Sequence, residues 1–281
     1  MAASKLLSGW RAQAWRVLAL LLLSALSLQL FFAGRIALMA LLDPASTSFE
    51  RSEAWRLLVE KQRIDWRQDW ADDSRIAAHL KRAVIASEDA GFADHSGVEW
   101  DAIERAWEKN QRAEAAAERR NAQLAQQAER QAERQAARQA RGATPPPATA
   151  AKPRPRVEPK LIGGSTISQQ LAKNLFLSGE RTALRKLQEI VLTYELELIL
   201  GKRRMLEIYL NHVEWGEGVF GAQAAARHYF RVDAAALGPG QAARLAVMLP
   251  APKRFEKSPG SAYLAGRSGT IAARMGAVEL P

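Results

Sequence analysis

The chain has no cysteine, which removes disulfides, thiolate catalysis and cysteine-ligated metals together. Its 4 histidines are scattered, so histidine ligation of a metal is not indicated either. No P-loop, H-E-x-x-H or G-x-S-x-G stretch occurs. β-branched alternation is scarce, which argues against a strand-built fold. No acidic residue stands before Asp43, and large apolar residues nearly vanish between Glu108 and Arg141, where Leu124 stands alone. What remains is 281 residues, 48% of them hydrophobic, with a formal net charge of +10. That length suffices for one large domain with appendages. The basic excess favours anionic partners: nucleic acid, acidic lipid headgroups or a phosphorylated substrate.

Val17 to Gly34 is uncharged and rich in Leu and Ala, and the apolar character resumes from Ile36 to Leu42. A bilayer core needs roughly 20 such residues in a helix, and Arg35 can snorkel to an interface. Lys5, Arg11 and Arg16 precede the run. The positive-inside rule therefore predicts a cytoplasmic segment at 1–16, a single-pass anchor at 17–42 and the rest of the chain on the far side. The competing reading is a cleaved signal peptide. The run exceeds the usual apolar length of about 7–15 residues and shows no clean small-x-small site, so a retained anchor is preferred.

Residues 43–73 read as a membrane-proximal connector. Trp55, Trp66 and Trp70 fall there, suited equally to an interfacial belt or to core packing. The main domain is placed at 74–281 and is mainly α. Helical spacing of Ile76, Leu80, Val84 and Ile85 marks its start, and a loop at 91–97 follows. Further helices are predicted at 165–177, 182–200, 202–211, 221–229 and 238–249. Residues 108–160 read as a low-complexity insertion: an Ala/Gln/Arg-rich helix without an apolar stripe, then a Pro-rich linker. Arg130, Arg134, Arg138 and Arg141 share one face. A solvated helix and a basic arm on anionic headgroups are both open.

Gly216-Glu-Gly-Val-Phe-Gly221 imitates a dinucleotide fingerprint, which requires a preceding strand. The residues before it read as helix, so nucleotide binding is not expected. Three other stretches carry chemistry. In Ser87 to Gly97 an apolar helix runs into Glu88 and Asp89, an unfavourable end for negative charge and hence a functional candidate. In Gly163 to Asn174, Thr166 and Gln169 have capping-box spacing, and Thr166, Gln170 and Lys173 share a polar face. In Arg185 to Glu189, both Arg185 and Lys186 are spaced to reach Glu189 on the edge of an apolar helix.

Together with Lys202 to Asn211 and Gly218 to Phe230, these stretches occur in an order that resembles the peptidoglycan glycosyltransferase family, which polymerises lipid II. The resemblance covers most of the chain. No Ser-x-x-Lys, Ser-x-Asn or Lys-Thr-Gly set is present, so a monofunctional member without a transpeptidase domain is expected. The resemblance implies a lysozyme-like helical fold with an N-terminal transmembrane helix. It also implies catalytic roles for Glu88, as general base, and Glu189. Substrate-binding roles fall on Asp89, Phe92, His95, Ser165, Thr166, Gln170, Lys173, Asn174, Arg185 and Lys186. The implied partners are lipid II and the growing lipid-linked strand, membrane lipids, and cell-wall synthesis or division proteins, with no nucleic acid. The implied location is a bacterial inner membrane with a periplasmic catalytic domain. A divalent cation, Mg2+ or Mn2+, is admitted but not required. Two departures stand out: Glu99 occupies a position where the family has Asp, and the 108–160 segment replaces a short connection. A lysozyme-like lytic enzyme and a non-enzymatic basic scaffold are the alternative readings. The cations Lys173, Arg185 and Lys186 argue against the lytic one, because a neutral glycan needs no such clamp.

Overall fold

The first helix, α1 (Ala2–Met39), is continuous through the segment expected to be cytoplasmic. The computed structural model describes residues 2–140, 156–159, 163–177, 179–180 and 182–281. Within α1, Ala12–Met39 is long and apolar enough to cross a membrane. Leu20 to Leu23 project outward, whereas Ile36 and Met39 are buried in the core of the folded domain. The helix is therefore exposed over most of this apolar stretch and structural at its end.

The chain divides into two compact units, Met1–Val98 with Thr166–Pro281, and Glu99–Ser165. In the first unit, the expected connector contains a helix, α2 (Ser48–Lys61), opened by a capping box between Thr47 and Glu50. Glu50 is 1% exposed and accepts from Thr47 N at 2.7 Å and from Gln68 at 2.8 Å; its Oε1 also lies 2.7 Å from His212 Nδ1. Strand β1 (Arg67–Gln68) follows, then α3 (Ala78–Glu88). Trp66 stacks on Phe220, and Trp70 packs on the core with its ring edge toward His212. Two of the three tryptophans thus pack within the domain, and Trp55 stands exposed.

The second unit is built on α4 (Trp100–Ala140), a 41-residue helix with no break at 108. Its short-side-chain face covers the returning segment. Asn121 grips the backbone of Val157 from both sides, donating to its carbonyl at 3.0 Å and accepting from its N–H at 2.8 Å. Gly164 lies so close to Ala102 and Ala106 that a Cβ would stand 2.9 Å from each residue. Glu99 pairs with Arg105 at 2.9 Å. Arg130 and Arg134 are exposed; the Arg138 side chain, Arg141 and most of the Pro-rich linker lie outside the described residues.

In the first unit the chain continues as α5 (Ile167–Phe176), α6 (Ala183–Ile199) and α7 (Lys202–His212). Then come β2 (Glu214–Gly216), β3 (Val219–Phe220) and α8 (Ala222–Phe230). The helices α9 (Pro239–Met248), α10 (Pro252–Glu256) and α11 (Ala262–Arg274) complete it. The core joins Leu80, Val84 and Ile85 of α3 to Leu245 of α9 and Ile271 of α11. It continues through Leu171 of α5, Leu196 of α6 and Tyr209 of α7. The small sheet has order β1-β3-β2, with β1 parallel and β2 antiparallel to β3. It accounts for the decoy glycines: Gly218 and Gly221 have φ of 70° and 81°, the left-handed region that a hairpin turn and the entry to α8 demand here.

Candidate active site

Glu88 is the last residue of α3, half-buried at the point where the helix stops. Its Oε2 accepts from the Gln170 side-chain amide at 3.1 Å, and the Gln170 carbonyl accepts from the Tyr209 hydroxyl at 2.9 Å. Tyr209 is 1% exposed, and burial together with the nearby Glu88 and Asp89 holds its hydroxyl well above the usual tyrosine range. It therefore stays a donor, fixing which end of the Gln170 amide meets Glu88. Burial raises the Glu88 pKa; hydrogen bonds from Gln170 and Ser87 oppose that shift, and the charge of Asp89 adds to it.

Asp89 turns the other way. Its Oδ2 accepts from the backbone N–H of Ile167, the first residue of α5, at 2.9 Å, and both oxygens lie within 3.0 Å of His95 Nε2. His95 Nδ1 accepts from the Gly97 N–H at 3.0 Å, so the neutral ring carries its proton on Nε2 and donates it to Asp89. Gly97 has φ 95°, and a Cβ there would meet Thr193 and Glu197 at 2.8 Å. The Gly97 carbonyl accepts from the Thr166 hydroxyl at 2.5 Å, while Thr166 and Gln169 form the capping box of α5. The end of α3, the following loop and the start of α5 are thus locked together. Phe92 is fully buried beneath them with the Lys202 ammonium 4.6 Å from its ring centroid.

The second carboxylate, Glu189, is 3% exposed on α6. Arg185 donates to one of its oxygens at 2.9 Å and Lys186 to the other. Lys173 extends from α5, open to solvent by area yet crowded by protein atoms. Burial lowers its pKa, opposed by the charge of Glu189; Arg185 and Lys186 lower it further, and Glu88 raises it. Lys173 is therefore within electrostatic reach of both carboxylates. Asn174 follows it, half-buried. Ser165 belongs to the second unit and is exposed there.

Sequence reasoning missed the Tyr209 contact and a part-buried triad beside the loop. Glu197 accepts from Ser168 at 2.6 Å and from Lys202 at 2.7 Å, joining α5, α6 and α7. Three residue types spaced 29 and 5 positions apart in sequence carry no local signature. As for a divalent cation, among the described residues no group of three His, Asp or Glu side chains is arranged to hold one. Both Glu189 oxygens already carry cationic partners. That donor set does not fit a resident metal.

The helical scaffold thus carries a carboxylate raised by burial, Glu88, and a second one, Glu189, clamped by two cations. The chain belongs to the Transglycosylase family, whose sequence model matches residues 57–144 and 148–276. A protein of Burkholderia pseudomallei (strain K96243) named biosynthetic peptidoglycan transglycosylase is 47% identical over 256 residues, covering 91% of this chain and 83% of that one. One of the same name from Bordetella pertussis (strain Tohama I) is 45% identical over 257 residues, 92% of this chain and 90% of its own length.

Proposed function

We propose that this peptidoglycan glycosyltransferase polymerises lipid II with Glu88 as the general base. Glu88 removes the proton from the acceptor sugar 4-hydroxyl as that oxygen attacks the anomeric carbon of the lipid-linked donor. The new bond is β-1,4 with inversion, and polyprenyl pyrophosphate leaves. A raised carboxylate pKa suits this task, because a stronger base close to neutral pH takes up the hydroxyl proton more readily. The leaving group needs positive charge more than a proton. Lys173 and Arg185 with Lys186 supply it, and Glu189 holds the latter two in place. Gln170 and Asn174 line the polar side of α5 toward the sugars. Asp89, Phe92, His95 and Thr166 act as positioning residues, since each is buried or engaged within the lock between α3 and α5. We assign no separate role to Ser165.

The observation that carries the reading is that α5, whose Gln170 holds Glu88, also bears Lys173, while Glu189 holds Arg185 and Lys186 on α6. The anchor holds the enzyme at the membrane where its lipid-linked substrate resides. We assign it to a bacterial inner membrane, with residues 1–16 cytoplasmic, 17–42 spanning, and the catalytic domain periplasmic beside cell-wall synthesis and division proteins. Glu88→Gln, assayed with purified lipid II, is expected to make no glycan polymer while still binding lipid II. Near wild-type polymerisation by that variant overturns the assignment. Release of soluble fragments from purified sacculi by the wild-type chain would support the lytic alternative instead.

A further inference from the structure

We propose that the domain-side end of α1 carries a binding site for one anionic phospholipid, held by Arg35 and Arg51. The uncharged run Val17 to Gly34 is bracketed by Arg16 and Arg35. Its 18 residues rise about 27 Å as a helix, close to the roughly 30 Å hydrocarbon core of a bilayer. Arg35 therefore stands at the depth of the lipid phosphates in the leaflet nearest the folded domain.

A cleft of about 270 Å³ opens at this level, lined by Arg35, Leu38, Met39, Leu42, Asp43 and Arg51 among others. Among the described residues neither arginine has a carboxylate partner. The Arg35 guanidinium lies over the rings of Phe31 and Phe176, 5.9 and 5.3 Å from their centroids. Arg51 donates only to Ser46 and Ser48, at 3.0–3.3 Å. Asp43, the acid lining the cleft, is occupied by Arg204 at 2.7 Å, which also caps the Met39 carbonyl at 2.9 Å and the Leu42 carbonyl at 3.2 Å. The negative end of α1 is thus already covered, and two guanidiniums face the cleft without counter-charge.

The apolar side fits the same ligand. Phe31, Arg35 and Leu38 follow one another at helical spacing on one face of α1, Leu42 lines the cleft just beyond its end, and Phe31, Leu38 and Leu42 are 58%, 57% and 62% exposed. Acyl chains lie along Phe31 while the phosphate sits between the arginines. A zwitterionic headgroup brings a cation toward them and is disfavoured; a net anionic headgroup is not.

This inference rests on α1 spanning the membrane, which is checked separately: release of the chain from membranes by alkaline carbonate would overturn that reading alone. The site is tested on the full chain in detergent by native mass spectrometry with phosphatidylglycerol, phosphatidylcholine or inorganic phosphate added. The wild-type chain is expected to retain one phosphatidylglycerol in preference to phosphatidylcholine, undisplaced by inorganic phosphate at equal concentration. Arg35→Gln with Arg51→Gln is expected to weaken retention roughly thirtyfold, and Arg35→Lys with Arg51→Lys to preserve most of it. Arg51→Gln alone, at an exposed residue whose guanidinium hydrogen-bonds Ser46 and Ser48, is expected to cost roughly fivefold. Equal retention by the wild type and the double glutamine variant, no preference over phosphatidylcholine, or displacement by inorganic phosphate overturns the proposal.

Discussion

Gln170 reaches Glu88 at 3.1 Å while its other end is held by Tyr209 at 2.9 Å, so a buried hydroxyl on α7 sets the orientation of a side chain on α5 that meets a carboxylate ending α3. Removing the hydroxyl tests this arrangement with little change of shape. Tyr209→Phe leaves the Gln170 carbonyl without its partner, at a cost of about 1–3 kcal/mol in stability. The amide is then free to turn its oxygen toward Glu88. Steady-state polymerisation should show kcat reduced ~10- to 100-fold with KM for lipid II little changed. An unchanged kcat would remove Tyr209 from the positioning of Glu88.

Glu88 also links activity to acid. As the proposed base Glu88 works only when ionised, and burial raises its pKa above the ordinary 4.5. The acidic limb of kcat/KM is therefore expected above that value. Stability runs in the opposite sense. A carboxyl whose folded pKa is raised favours the fold below its unfolded pKa, and this contribution is lost as pH rises through the folded value. Glu88→Gln carries no such loss. Thermal melts should show it more stable than the wild type at neutral pH, with the gap closing below about 4.5.

A second carboxylate behaves similarly away from Glu88. Glu214 on β2 is 7% exposed, and burial, aided by the charge of Glu53 and opposed by Lys253, pushes its pKa up to about 7. Its contribution to stability should be complete below about 4.5 and disappear as pH climbs through about 7. Denaturant titrations of wild type and Glu214→Gln across that window should diverge, with the variant losing less stability.

Gly97→Ala tests the lock between α3 and α5. The residue has φ 95°, and a methyl group would meet Thr193 and Glu197 at 2.8 Å. The expected cost is about 2–4 kcal/mol, read as a lower melting temperature. The same backbone carries both the N–H that orients His95 and the carbonyl that receives Thr166. Activity per folded molecule should fall as well; full activity in the folded fraction would separate the lock from catalysis.

Much of the scaffold was legible as apolar residues at helical spacing. Ile167, Leu171 and Leu175 mark α5, and the capping pair Thr166 and Gln169 forms as its spacing predicts. Helix α2 escaped that reading because its buried residues are Glu50 and Leu57 alone, which make no stripe. Its Thr47-x-x-Glu50 start was nevertheless readable. Helix α11 contains Gly266 and Gly269 and buries little beyond Leu264 and Ile271. The strands span two or three residues, too few for alternation to register. In the site, the reach of Arg185 and Lys186 to Glu189 was visible as spacing, whereas the contact of Gln170 with Glu88, 82 positions apart, was not. Nor was the partition of Asp89 and His95 toward support, since it depends on which way adjacent carboxylates turn at a helix end.

Ile36 and Met39 belong at once to α1 and to the core, and Arg204 binds the Met39 and Leu42 carbonyls where that helix ends. A version cut after residue 42 would therefore begin with an excavated interior and leave Arg204 with Asp43 and Glu207 but without the two carbonyls it binds. Fragments intended for crystallisation or screening should start upstream of Phe32, which meets Phe176 edge to face at the close of α5, and be handled in detergent from the first step.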